Sequence, residues 1–470
     1  MPGQLRDVPR TSFRLPFGIG FDDPLRADAY DSENVVFGRT DAADAPSAVF
    51  LGKLAEFEQM RRNVWLDCHG AHAIYVIGKR RSGKSYTLGT ICEGLVSKSW
   101  LRLGFPDQAV LLLDTLNIYG ALHVPIGNAT GGRELWHVPT EALPVQYVAP
   151  ERTRSTIVGE SIALTVDPAW LTLEDWCGLF DVDPFSDPLG HLLAVILDAV
   201  QSTWQLRGAS GHNDQVHSGV DDCLRCLDTN QDALQFGDST REALRRRLLA
   251  IERLNFLARP SPHLHDLLTA GRVTVLQLRD LDDRVRALVV AVIVRELMRA
   301  RARTDASARA AAIQAHLSGN HVDAWTVRDA LPRCWIIIDE AHNYLPSGGT
   351  LPSRPVLRRL ITEGRNVGLS VVVATQQPSG LDSSIQRNAD ALLIHSMSMR
   401  DDIAAADGML NTLVPDVASW GTAENASGKV FEKLVRALPQ GYCLVSTDTA
   451  NRIFAMKVRP RLSMHGGDSY

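Results

Sequence analysis

No stretch of this chain is apolar for long enough to cross a bilayer. The longest apolar run, Ala287 to Val294, lies between Arg286 and Arg295, far short of the ~20 residues a spanning helix needs. The first residues, Met-Pro-Gly-Gln-Leu-Arg-Asp, lack the apolar core and small-residue cleavage site of a secretory signal. The expected location is therefore the cytoplasm, with no membrane partner. Cysteine is scarce: seven in 470 residues, scattered. That excludes a disulfide framework, and thiols inside apolar runs read as small reduced hydrophobes. Positive charge is not in excess either, because 49 Lys and Arg face 54 Asp and Glu for a net charge of -5. A protein that coats nucleic acid with its whole surface is excluded, whereas a local basic channel is not. Candidate patches are Arg245-Arg246-Arg247, then Arg295, Arg299, Arg301 and Arg303, then Arg354, Arg358 and Arg359, which read first as solvated helix faces.

What is present is globular composition, 45% hydrophobic and 22% charged, in a chain longer than one core usually fills. Short apolar runs at 73–78, 109–114, 273–278, 335–339, 369–375 and 391–395 read as buried strands. Helical spacing separates them at 85–97, 189–206, 240–257, 283–303 and 355–366. Strands alternating with helices predict an α/β fold whose parallel sheet is flanked by helices. Two further strands, 442–445 and 453–458, predict a hairpin or a closed sheet edge. Residues 125–265 break the alternation and read as a mainly helical insertion, with only two strands expected between Lys84 and Asp339. The expected organisation is an irregular or short-strand region at 1–65, core segments at 66–124 and 266–440 around that insertion, and strands with a tail at 441–470.

The strand at 73–78 runs into Gly78-Lys79-Arg80-Arg81-Ser82-Gly83-Lys84-Ser85-Tyr86 and then a helix. A phosphate loop needs glycine where a side chain would block the anion, and the helix that follows adds its positive end. Gly78 and Gly83 fill those places. Lys84 would reach the β and γ phosphates of ATP, and Ser85 would contact Mg2+. A second apolar strand delivers Asp339 and Glu340 at the edge where ligands collect in such sheets. Asp339 would hold the hydrated metal, and Glu340 would polarise the attacking water. Gln376 follows a third strand, where its amide would orient that water, the alternative being a loop amide with no role.

These segments resemble the HerA/FtsK superfamily of ring-forming, DNA-pumping ATPases, and the HerA-like branch most closely. The resemblance rests on Gly78 to Ser85, Asp114 with Tyr119, Asp339-Glu340-Ala341, Glu363 to Gly368, Ala374 to Ser379 and the tail Val458 to Gly467, in the family's order. It implies a RecA-like core and a ring, expected to be a hexamer, acting on double-stranded DNA. It also implies that Arg365 reaches the ATP of the neighbouring subunit, the alternative being a surface residue at a helix end. Partners implied are nucleases or other antiviral defence proteins. A nucleotide-gated assembly ATPase that controls a partner effector without pumping DNA is the second reading. The chain departs from its relatives in the short stretch before Gly78, where a small β-barrel is usual, in Gln377 where arginine is common, in Ala71 before His72, and in Arg80-Arg81 within the loop.

Two further patterns compete. His212, His217, Cys223 and Cys226 lie within fifteen residues and are all zinc-ligand types, but their spacing matches no common finger and loop residues are the simpler reading. Asp339-Glu340-Ala341-His342 mimics an RNA helicase box, yet the accompanying motifs of that group are missing.

Overall fold

The computed structural model describes residues 34–38, 47–55, 62–103, 108–126, 136–209, 219–258, 264–318, 331–349, 351–382, 388–410, 426–447 and 452–466. Fourteen strands among them form one sheet: β1 (Asn34–Phe37), β2 (Ala48–Leu54), β3 (Asn63–Asp67), β4 (Ala73–Ile77), β5 (Arg102–Leu103), β6 (Ala109–Asp114), β7 (Val145–Ala149), β8 (Ser161–Ala163), β9 (Val273–Gln277), β10 (Cys334–Ile338), β11 (Leu369–Thr375), β12 (Ala391–Ile394), β13 (Tyr442–Thr447) and β14 (Arg452–Val458). Their order is β1-β3-β2-β14-β13-β12-β4-β11-β10-β6-β9-β7-β8, with β5 beside β2. From β12 to β8 every pairing is parallel. From β12 through β13, β14 and β2 to β3 every pairing is antiparallel.

The central parallel strands β4, β10 and β12 are apolar at every position because both faces are covered. Tyr75, Leu111, Ile336 and Val371 point into one core, which also holds Leu192, Leu248, Val289 and Leu357 from helices Pro188–Ala209, Asp238–Glu252, Asp283–Leu317 and Ser353–Glu363. Their neighbours Ile74, Leu112, Ile337 and Val372 point into the second core, against Leu88, Ile91 and Leu95 of helix Lys84–Val96. The run Ala287 to Val294 is spent in this packing, and no helix among the described residues is long and apolar enough to cross a membrane.

Parallel register brings the strand ends that matter to one edge. Thr375 pairs with Ile77, and Ile338 pairs with both Val373 and Leu113. The residues that follow, Gly78, Asp114, Asp339 and Gln376, therefore leave the sheet side by side.

One expectation needs correction, and two open alternatives are decided. The segment 125–265 is helical for much of its length, but it also supplies β7 and β8 to the parallel sheet, so five strands, β5 to β9, rather than two lie between helix Lys84–Val96 and β10. Of the two alternatives for β13 and β14, the hairpin holds, and β14 pairs onward with β2. Before Ala73 the short-strand alternative holds among the described residues, with β1, β2 and β3 joined to that same sheet; residues 1–33, 39–46 and 56–61 lie outside the described residues.

Candidate nucleotide site

The loop between β4 and helix Lys84–Val96 is built around His395, which follows β12. A Cβ on Gly78, whose φ is +156°, would lie 2.6 Å from His395 Cβ and 2.7 Å from Ser82 Oγ. Only glycine fits there. Gly83, at φ +116°, is the helix N-cap; no side chain caps this end and the first turn carries no acid, so the helix presents its positive end to an anion. His395 fixes the floor of the loop: its Nδ1 is 2.9 Å from Tyr442 O and its Nε2 is 3.0 Å from Thr87 Oγ1. Burial, and after it the Lys84 charge, lowers this imidazole to about 3. It is neutral. Nothing local in the sequence marked His395 except a polar residue closing an apolar strand.

Lys84 is buried, and its Nζ donates to Lys79 O at 3.1 Å, inside the loop's own curl. Burial lowers its pKa while the Glu340 and Asp339 carboxylates oppose the shift, which places the ammonium next to both acids. Lys79, Arg80 and Arg81 are exposed along the outer rim. Tyr86 faces the chain's end instead: its hydroxyl accepts from Arg461 N at 2.8 Å, and its ring meets His465 edge-on at 5.7 Å.

The acids end β10. Glu340 takes a left-handed conformation, φ 53° and ψ 50°, which costs a non-glycine residue about 1–3 kcal/mol and is tolerated where surroundings demand it. Its N–H donates to Asp339 Oδ1 at 2.9 Å, and Gln376 Nε2 donates to Glu340 Oε1. His342 Nδ1 stands 3.4 Å from Glu340 Oε2, an oxygen that accepts no hydrogen bond from the described residues. Burial, then the Lys84 charge, lowers the His342 pKa, so the ring is a neutral neighbour. Asp339 is shifted upward by burial and then by Glu340, against opposing contributions from a Ser85 hydrogen bond, Lys84 and Tyr119. Asp114, the end of β6, is lifted to about 6 by burial, and Asp339 pushes it the same way.

This arrangement fits ATP and Mg2+. The loop has room for no Cβ at Gly78, the helix end is uncapped, and Ser85 with Asp339 offers the hard oxygen donors that magnesium takes. Crowded carboxylates that raise one another are relieved by a divalent cation.

Other anticipated residues fall elsewhere. Arg365 pairs with Asp390, whose Oδ2 also accepts from Ala73 N at 2.7 Å. Ala73 begins the five-residue β4 that ends at the loop, so Arg365 is at the opposite sheet edge, roughly 16 Å away at ~3.3 Å per residue. Cys223 is buried in the core on helix Val220–Thr229 with Cys226 beside it, not in a loop, and His212 and His217 lie outside the described residues. The described residues contain no cluster of three metal-ligand side chains. Several patch arginines are internal fasteners: Arg295 binds Asp175 and Trp170 O, Arg301 donates to Val367 O and Leu331 O, and Arg354 grips Asp382. Arg245 and Arg246 pair with Asp228 and Glu242 on the solvated face expected of them.

Comparison with known proteins identifies the family. The family model described as Helicase HerA, central domain, matches residues 52–297, more than half of the chain. The DNA double-strand break repair helicase HerA of Pyrococcus furiosus is 27% identical over 93 residues, which is 19% of this chain and only 17% of that curated relative. Among solved structures, VirB4 of Thermoanaerobacter pseudethanolicus superposes with a TM-score of 0.51 at 14% identity, covering 88% of this chain and 97% of that one, a likeness of fold. The bacterial conjugative coupling protein TrwBdeltaN70 gives 0.46 at 14% identity over 82% of this chain and 84% of its own. The chain belongs to the HerA central-domain family of P-loop ATPases.

Proposed function

We propose that this chain hydrolyses ATP between the subunits of a ring, a hexamer in the simplest case, and uses the cycle to translocate or remodel double-stranded DNA. The observation that carries the reading is the meeting of Lys84, Asp339, Glu340 and Gln376 at one sheet edge while Arg365 lies at the other.

The backbone of Gly78 to Ser85 would cradle the phosphates, with Lys84 on the β and γ oxygens and Ser85 and Asp339 holding magnesium. Bound magnesium would supply neutralisation of phosphate charge. Glu340 would accept the proton of the water that attacks the γ phosphorus as the bond to ADP breaks, and Gln376, bonded to Glu340 Oε1, would set the direction of both. Arg365 cannot reach its own nucleotide from the far edge, so a role for it requires the neighbour's. The Asp390 carboxylate would orient it there. An arginine used in this way typically contributes ~1,000-fold or more to turnover. Arg365→Ala should therefore fail alone and regain partial activity when mixed with Lys84→Ala, through interfaces that combine one intact site with one intact arginine. Mixed rings without rescue would reject the role in trans.

Double-stranded DNA as substrate is supported by the family described as Helicase HerA and by the relative named as a DNA double-strand break repair helicase. Nucleases or other defence-system proteins are the partners this kinship suggests. The second reading, a ring that gates a partner effector, is favoured by two features: β1, β2 and β3 belong to the ATPase sheet itself, and Gln377, exposed, stands where an arginine is common. ATPase rate with and without long duplex DNA, measured beside displacement of a DNA-bound roadblock, separates the two. Stimulation with displacement rejects the gate; a flat response in assembled rings rejects the motor.

A further inference from the structure

We propose that Tyr119 is a positioning residue of the metal subsite, its hydroxyl fixing the Asp339 carboxylate that would hold magnesium beside Ser85. The proposal rests on Ser85 and Asp339 being the metal's protein contacts.

The Tyr119 side chain is buried, and its hydroxyl donates to Asp339 Oδ2 at 3.0 Å while standing 3.3 Å from the Ser85 carbonyl oxygen. A phenol has one proton to give, and the nearer, charged acceptor is the stronger partner. Asp339 Oδ1 is already taken by the Glu340 N–H at 2.9 Å. The carboxylate is thus gripped through both oxygens and its plane is set. A carboxylate that must present one oxygen to a hydrated cation loses affinity when its plane is free to turn, which is the work of such outer partners.

The place of Tyr119 is built from four directions. Asp114 accepts from Ile118 N and Tyr119 N, both at 3.0 Å, which turns the chain back after β6. Gln277 at the end of β9 donates to Asn117 Oδ1 at 2.7 Å. Tyr147 of β7 donates its hydroxyl to Tyr119 O at 3.3 Å, and Gly466 N of the tail donates to Ile118 O at 3.1 Å. A buried phenol needs only some acceptor. Here four anchors aim it at the acid that ends β10.

Tyr119→Phe deletes the hydroxyl and keeps the ring. Binding of a fluorescent ATP analogue to the full chain is measured in EDTA and across a Mg2+ titration, with Mn2+ binding followed by electron paramagnetic resonance as a second readout. Metal-free nucleotide affinity should stay within about twofold of the unaltered chain, while apparent metal affinity falls about 10- to 100-fold. Tyr147→Phe removes a hydroxyl one link further from the acid and should leave metal affinity within about twofold. Unchanged metal affinity in Tyr119→Phe, or equal losses in both variants, would overturn the proposal. Nucleotide binding that gains nothing from metal in the unaltered chain would instead reject Ser85 and Asp339 as its contacts, and the role of Tyr119 with them.

Discussion

Helix Lys84–Val96 carries two buried charges, and the protein treats them in opposite ways. Near its C-terminal end Glu93 is saturated: Oε1 accepts from Arg461 Nε at 2.5 Å, Ser463 N at 3.0 Å and Ser463 Oγ at 2.7 Å, and Oε2 accepts from Arg459 Nη1 at 3.0 Å and Leu462 N at 2.9 Å. Burial pushes the Glu93 carboxyl up, but Arg461 and Arg459 outweigh it and hold the pKa below the usual range. Even the helix backbone is trimmed for this contact, since a Cβ on Gly89 would lie 2.0 Å from Arg461 Nη1. At the N-terminal end the Lys84 ammonium donates, among the described residues, to a loop carbonyl, and the acids near it push one another upward. A closed set of charges fastens the tail to the helix. An open set, short of positive charge and holding a strained Glu340, is what a site looks like before its ligands complete it.

The contrast predicts that the two ends fail differently. Glu340→Gln removes a charge from the open set, so folding should not suffer. ATP binding should persist while turnover falls about 100- to 10,000-fold, the usual contribution of a general base. Normal turnover in this variant would remove Glu340 from the chemistry. Glu93→Ala does the reverse. Two buried guanidiniums lose their counter-charge, and breaking such a pair costs about 3–5 kcal/mol, to be read from denaturant unfolding of the full chain. A loss below about 1 kcal/mol, the level of a surface pair, would mean that the tail is held by packing alone.

How much of this was legible follows from where the information lies along the chain. The parallel strands were visible because burial on both faces leaves a continuous apolar run, as in Ala73–Ile77 and Cys334–Ile338. The strand β7 escaped because Val-Gln-Tyr-Val-Ala puts Gln146 in mid-strand, where it accepts from Arg272, and β8 is only three residues long. The phosphate loop and the Asp339-Glu340 pair were legible because each is a local spacing. Tyr119 was noticed only as part of a resemblance, because its bond to Asp339 joins residues 220 apart, and His395 meets Thr87 from 308 away. Nor could local pattern say that Arg365 would sit on Asp390 at the far edge, a placement that depends on the strand order.

His395 lets the comparison be sharpened by pH, because it is an uncharged group set directly beneath the open end. Its Nδ1 faces the Tyr442 carbonyl and therefore carries the ring proton, leaving Nε2 to accept from the Thr87 hydroxyl. In the folded chain the ring titrates near 3, because burial first and Lys84 second disfavour the cation; in the unfolded chain it titrates near ~6.5. Between those values the unfolded state holds the extra proton. The stability this group contributes is therefore fully present above about pH 6.5 and declines as pH falls toward 3. From pH 7 to pH 5 the decline should be about 2 kcal/mol. His395→Gln retains hydrogen-bonding capacity without the titration, so its unfolding free energy should fall less than that of the unaltered chain over this interval, by about that amount. Parallel pH profiles would show that the loop rises off the imidazole and lets it charge in the folded state, and the rigid floor inferred beneath Gly78 and Gly83 would have to be given up.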